Sequence, residues 1–410
     1  MNIKLNKISV VLLITLLMYC FLAIFITYVR GDESKYHYPT ARTISLKAVI
    51  QPDSTYNSAY TPLPYFIGGL VLGIHDSIYV LRLLNFLTVI VIVFFAYKIF
   101  KRIDRNPELL TLLVISNPYF LRSAFTYHMS AYGIMFALVG VYFYFFSNYR
   151  YKNLFAFLFQ CLAVLSQQWM LAVTFALLLL ELKKNLAENF NIFRLVKKSA
   201  LLIVLFSPAI YLFYTWRGFT HPGFQSHALH PSFEHLTALL AHVGFAFGLI
   251  VLMNIRSLLK IKYVPLVFVF PLIYLSVPVH SQGHGVREIT GITSQFSMQI
   301  ERFLHIPYSV SMLAFSILGL AAMVLLLRKD NSDSNFFLKG ALSGFFAAFI
   351  ASTRLSSAHI YTSFPFLTMA FSREINHCKN WSMLIALQFF LVAVFYITYY
   401  VFFVSHGIQM

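Results

Sequence analysis

The chain has 410 residues, 59% of them hydrophobic and only 11% charged, with a mean hydropathy of +0.73. That composition excludes a water-soluble domain, because runs of roughly 20 apolar residues recur along its length, each able to cross about 30 Å of hydrocarbon. The net charge of +17 would suit a nucleic-acid binder, but its placement along the chain points elsewhere.

The basic residues gather in alternate gaps between the apolar runs: Lys98, Lys101, Arg102 and Arg105; Lys183, Lys184, Arg194, Lys197 and Lys198; Arg256, Lys260 and Lys262; Arg328, Lys329 and Lys339. This is the distribution that the positive-inside rule requires, with roughly two-thirds of the cations on the inner side. Membrane topology accounts for the charge, and no nucleic-acid partner is expected. The fold class is all-α: a polytopic integral membrane protein of about 11–13 transmembrane helices. Residues 1–410 show no linker, soluble region or internal repeat, so one membrane domain is expected.

The amino terminus is placed inside. The first run, Ile8 to Tyr28, follows Lys4 and Lys7 and carries no small-residue cleavage site, which predicts an uncleaved first helix rather than a signal peptide. It delivers the segment Gly31–Gly69 to the outer side. Residues 65–74 are apolar, short and glycine-rich, and are expected at the interface. Spans are predicted over 77–97, 108–124 and 130–147. Residues 154–182 have basic segments at both ends and must cross twice, yet are too few for two full spans. Ser166-Gln167-Gln168-Trp169 sits at their centre, which predicts two short helices meeting at a polar turn that lines a cavity or is buried in protein. Further spans are predicted over 199–216, 237–254, 263–279, 307–327, 338–352, 361–372 and 382–404. Between them lie outer loops with His221, His227, His230 and His235, then His284, Arg287, Glu288, Glu301, Arg302 and His305, then Arg354 and His359.

The first outer segment, about residues 29–64, stands out. It opens on the adjacent carboxylates Asp32 and Glu33, followed by Lys35, Tyr36, His37 and Arg42. Ionisable groups near membrane depth are costly to desolvate and tend to mark functional sites. A carboxylate within reach of a hydroxyl acts as a general base, and arginine offers a fork of donors suited to phosphate. Together these describe sugar transfer from a lipid-phosphate donor, with the acceptor hydroxyl attacking the anomeric carbon in one inverting displacement. The candidate catalytic residues are Asp32 and Glu33. The candidate substrate- and donor-binding residues are Lys35, His37, Arg42, Arg122, His128, Gln167, Gln168, Arg217, His227, Arg287, Arg354 and His359.

Plainer readings stand beside these. Glu33 could form an exposed salt bridge to Lys35 or Arg42, which would be worth little. Histidine and aromatic residues enrich at membrane interfaces, and the outer arginines could meet anionic headgroups. Gln167 and Gln168 could satisfy backbone where short helices meet. His227 and His230 are three apart and His280 and His284 four apart, but no helix is assured there. No metal site and no other cofactor are expected. Cys20, Cys161 and Cys378 form no disulfide framework.

An acidic pair in the first outer loop of a chain of about a dozen spans resembles the GT-C superfamily of polyprenyl-phosphate-sugar glycosyltransferases. Asp32-Glu33, then Tyr36-His37-Tyr38-Pro39-Thr40-Ala41, then Thr61-Pro62-Leu63-Pro64 is most similar to the dolichyl-phosphate-glucose alpha-1,2-glucosyltransferase family, with one extra residue between the acids and the aromatic. Ser226-His227 to Ala246 is a weaker echo of a family loop. The resemblance implies Asp32 as the base, Glu33 as its neighbour or an alternate base, and His37 as a sugar or phosphate contact. It further implies a polyprenyl-phosphate-linked sugar, with glucose one option, as donor and a glycan or glycolipid as acceptor.

Two other functions compete. A surface-polysaccharide polymerase or ligase concentrates its polar groups in large late loops rather than after the first helix. A lipid or small-molecule transporter favours charges and broken helices near the midplane; here only Arg82 and the 166–169 break fit that pattern. The outer loops hold no usable glycosylation sequon, and the tail is not a retention signal. Both favour a bacterial inner membrane, with the endoplasmic reticulum membrane as the eukaryotic counterpart.

Overall fold

Backbone N–H and C=O groups inside hydrocarbon must find partners within the chain, which favours helices. The computed structural model describes residues 7–25, 33–50, 56, 58–104, 106–116, 120, 124, 126–187, 192–222, 233–267, 269–270, 292–326, 332–351 and 361–377. Among these there is no strand: the protein is an all-helical, multi-pass membrane protein. Five stretches are long and apolar enough to cross a membrane by length and composition: Ile8–Phe25, Ile78–Ile103, Ser199–Trp216, His235–Met253 and Tyr308–Leu326. The described residues fall into two compact units, 7–222 and 233–377.

The first unit begins with α1, Lys7–Phe25. It turns Leu13, Leu17 and Phe21 outward, a helical stripe suited to lipid, and buries Thr15, Tyr19, Leu22 and Ala23. Short helices α2 (Tyr38–Thr43) and α3 (Leu46–Ile50) follow, then α4, Leu63–Leu72, on the glycine-rich run. Helix α5, Ile78–Ile103, starts at Ser77, whose hydroxyl accepts the Tyr79 N–H at 3.3 Å. It ends on Lys101 and Arg102, where cations meet the negative end of the helix dipole. Helix α6, Pro107–Ile115, is nine residues long, shorter than the expected span over 108–124. The Tyr19 hydroxyl donates to the Ile115 carbonyl and ties α1 to α6.

Helix α7, Ser130–Phe146, packs on α8, Lys152–Ser166, where Gln160 Nε2 donates to the Ala137 carbonyl at 3.1 Å. The chain then breaks at Gln167, makes a 3-10 turn over Gln168–Met170 and continues as α9, Leu171–Ala187. The break expected at the polar tetrapeptide is therefore present, and Gln167 and Gln168 are buried. Helix α10, Ile192–Trp216, ends in a cap in which Gly218 N donates to Phe213 O and Arg217 N donates to Tyr214 O. Arg217 holds φ at 52°, the left-handed cap position usually taken by glycine.

The second unit is built on α11, Phe233–Met253, followed by the short α12 (Ile255–Leu258), α13 (Ile292–Leu304), α14 (Tyr308–Leu326) and α15 (Asp333–Ala351). It closes with α16, Phe364–Ala370, and α17, Ser372–His377. Most of the predicted span 263–279 and all of 382–404 lie outside the described residues. Helices α11 and α14 approach with backbone against backbone. A Cβ on Gly244 would sit 1.8 Å from the Phe315 carbonyl oxygen, and one on Gly319 would sit 1.8 Å from the Leu240 carbonyl oxygen. Small residues permit this approach where lipid removes any hydrophobic drive between helices.

Gly244→Leu and Gly319→Leu should each cost about 3 kcal/mol or more, because a backbone rather than a side chain must move. Gly218→Ala, whose Cβ meets nothing within 4 Å, should melt with the parent in detergent. Parent-like melting of Gly319→Leu would contradict this packing.

Candidate active site

The polar segment after α1 folds inward. Residues Glu33–His37 form one π-helical turn that buries its two ends, Glu33 and His37, and leaves Ser34 and Lys35 exposed. The Glu33 carboxylate accepts three N–H groups: Arg82 Nε at 2.9 Å and Tyr127 N at 2.8 Å on one oxygen, and Arg82 Nη2 at 2.6 Å on the other. Arg82, one turn into α5, is fully buried. The sequence offers Lys35 or Arg42 as partners for Glu33; the pairing with Arg82 differs because Glu33 faces inward while Lys35 and Arg42 are exposed. Arg42 pairs instead with Asp76 at 2.8 Å on the surface. The Tyr38 hydroxyl donates to the same carboxylate at 2.6 Å, and that bond raises the Tyr38 pKa, with some opposition from the Arg42 charge.

The turn before α7 is tied to α5 and α4 as well. Asn85 Nδ2 donates to Thr126 O at 3.0 Å, and the Tyr127 hydroxyl donates to Pro64 O at 2.7 Å. His128, the next residue, thereby meets the loop. The rings of His37, His128 and Tyr60 make mutual edge contacts, with centroid separations of 5.5, 5.6 and 5.8 Å. His128 Nδ1 accepts the Ser130 N–H, so the neutral ring carries its proton on Nε2.

His37 Nδ1 lies 2.8 Å from the Tyr65 hydroxyl, which lies 2.6 Å from Ser58 Oγ. Ser58 Oγ also accepts the Tyr60 N–H at 3.0 Å. The broken helix contacts the same loop, with Gln168 Nε2 donating to Ala59 O at 2.9 Å and Thr61 Oγ1 to Val164 O at 2.9 Å, while Gln167 Nε2 donates to Ser130 Oγ on α7 at 3.3 Å. The Oε1 atoms of Gln167 and Gln168 are buried without a hydrogen-bond partner among the described residues. Beyond Tyr65, Tyr56 packs on His221 and Trp216, and Trp216 Nε1 donates to Val49 O at 2.8 Å. Burial raises the phenol pKa of Tyr56 and Tyr127, so both stay protonated donors, and lowers that of His221, which favours its neutral form.

Of the residues singled out from sequence, the structure brings together Glu33, His37, His128, Gln167 and Gln168. Lys35 and Arg42 lie exposed beside this region, and Arg217 is an exposed helix cap. Asp32, Arg122, His227, Arg287, Arg354 and His359 lie outside the described residues, as do His230, His280 and His284. Residues that the sequence did not nominate for the site include Ser58, Tyr60, Tyr65 and Tyr127. Only Arg82 carried a signal, as a charge inside an apolar run. Among the described residues no three His, Cys, Asp or Glu side chains gather as a metal would need.

No family model and no curated protein sequence matches this chain. Similar folds appear in two crystal structures of ArnT from Cupriavidus metallidurans, one bound to undecaprenyl phosphate and one in the apo state. Both are 11% identical with a TM-score of 0.37, cover 89% of this chain, and are themselves covered over 77% and 76% of their lengths. A likeness this distant says nothing about what this chain does.

Removing one partner of a buried ion pair leaves a charge unpaired in low dielectric. Glu33→Gln should therefore cost about 3–5 kcal/mol. Arg42→Gln breaks a pair whose side chains are 61% and 41% exposed, and should cost less than about 1 kcal/mol. Thermal unfolding of the two variants in detergent checks the contrast.

Proposed function

We propose that the protein is a membrane glycosyltransferase that moves a sugar from a polyprenyl-phosphate donor to a glycan or glycolipid acceptor. One observation carries the reading: directly after the Asp32-Glu33 pair, the imidazoles of His37 and His128 and the hydroxyls of Tyr56 and Tyr65 gather on a single loop, which the Gln168 amide joins through the Ala59 carbonyl. Sugar hydroxyls need neutral donors and acceptors beside aromatic faces, and this set supplies both.

Asp32 is the base. Its carboxylate takes the proton of the acceptor hydroxyl, that oxygen bonds to the anomeric carbon, and the bond from that carbon to the phosphate oxygen breaks. The polyprenyl phosphate leaves and the anomeric centre inverts. Glu33, whose oxygens already accept three N–H groups, anchors the loop rather than taking the proton. His37, His128, Gln167 and Gln168 contact sugar hydroxyls. Arg122, Arg217, Arg287 and Arg354 are the cations nominated from the sequence for the phosphate, and Lys35, Arg42, His227 and His359 are further substrate- or donor-binding candidates. Glucose is the sugar suggested by the loop's resemblance, and a bacterial inner membrane is the expected location.

A second reading, a carrier for lipid or small polar solutes, draws on the broken helix at Gln167 and the buried Arg82–Glu33 pair. The test is to incubate the detergent-purified protein with a panel of radiolabelled polyprenyl-phosphate sugars and extracted envelope lipids. The parent should move label to a new product, and Asp32→Asn should lose about 100-fold or more of that rate. If the parent moves no label, yet proteoliposomes carry labelled lipid across the bilayer, the carrier reading replaces this one.

A further inference from the structure

We propose that Arg82 is a positioning residue for this reaction: acting through Glu33, it sets the approach of His37 to His128. The inference rests on the transferase reading for its link to turnover. An arginine within a membrane-spanning helix is costly unless its charge is met, and Glu33 meets it with two parallel N–H···O contacts. The same carboxylate holds the Tyr127 N–H. Glu33 and His37 are the two buried ends of one π-helical turn, and Tyr127 immediately precedes His128. One carboxylate therefore joins the two backbones that carry the paired imidazoles, whose rings stand 5.5 Å apart. If the carboxylate rotates, the turn carrying His37 loses its hold on α5, and the turn carrying His128 keeps only the contact of Asn85 with Thr126 O.

Guanidinium fixes that rotation because its fork is planar and rigid. An ammonium is a point charge that neutralises Glu33 without orienting it. Arg82→Lys thus separates charge balance from geometry. With the labelled donor used for the transferase assay, kcat of Arg82→Lys should fall about tenfold or more, as expected for misplacement near 1 Å, while KM for the donor stays within about twofold. Hydrogen exchange should quicken in residues 33–43 and 126–130 and stay unchanged in 308–326. Lys98→Gln, a charge change on the exposed inner end of the same helix, should match the parent. Arg82→Gln combined with Glu33→Gln removes the buried charge altogether. It should fold, yet lose kcat in the same way.

Turnover of Arg82→Lys, or of Arg82→Gln combined with Glu33→Gln, within twofold of the parent overturns the proposal. So does exchange that quickens throughout the chain with activity falling only in step with the loss of folded protein. If the parent itself transfers no label from any donor, the transferase reading falls. Exchange then decides alone: local quickening upholds Arg82 as the residue that holds the loop, and unchanged exchange removes it.

Discussion

The first unit depends on a charge that cannot be left bare. Arg82 lies inside a helix long and apolar enough to span a membrane, with none of its surface exposed. Desolvating an arginine is tolerable only when a counter-charge and enough hydrogen-bond acceptors come with it. Glu33 brings both, and in doing so draws the polar segment after α1 against α5. The spare lone pair of that carboxylate then takes the Tyr127 N–H, so the turn before α7 is drawn in too. A pair of this kind contributes little net stability compared with apolar residues of the same volume. Its effect is to specify one arrangement, because every alternative strands a charge.

What gathers around the pair follows from that arrangement. Held by Glu33 at one end and by the Tyr65 hydroxyl at its ring, His37 faces His128 and Tyr60. The break between α8 and α9 sets Gln168 against the loop, where its Nε2 donates to the Ala59 carbonyl, and Gln167 against Ser130 at the start of α7. Burial keeps Tyr56, Tyr65 and Tyr127 as protonated donors, the imidazole of His128 is oriented by a backbone N–H, and the Oε1 atoms of Gln167 and Gln168 accept no hydrogen bond among the described residues.

Much of the architecture was legible in the sequence because its causes are local. Apolar runs of spanning length announced α1, α5, α10, α11 and α14, and a segment too short for two spans with Ser166-Gln167-Gln168-Trp169 at its centre announced the broken helix. The proximity of His37 to His128 was not legible, since they are ninety-one residues apart and nothing local couples them. Arg82 stood out as a charge in an apolar run, but a lone charge does not name its partner, and nearer cations made Glu33 look like half of a surface pair. Tyr56, Tyr60 and Tyr65 passed as interface aromatics because a membrane chain with 18% aromatic residues offers such tyrosines everywhere. The left-handed cap at Arg217 was equally silent, because glycine follows it at Gly218 instead of occupying the strained position.

The central claim is that the loop pinned by Glu33 and Arg82 receives the lipid-phosphate sugar. Photo-crosslinking tests it most directly, with a polyprenyl-phosphate sugar carrying a diazirine on the sugar ring, irradiated with the purified protein and mapped by peptide mass spectrometry. Adducts confined to peptides covering 33–65, 126–132 and 166–170, and competed away by the unmodified donor, are the predicted result. Competed adducts that fall only within 233–377, with none on the loop, would contradict it.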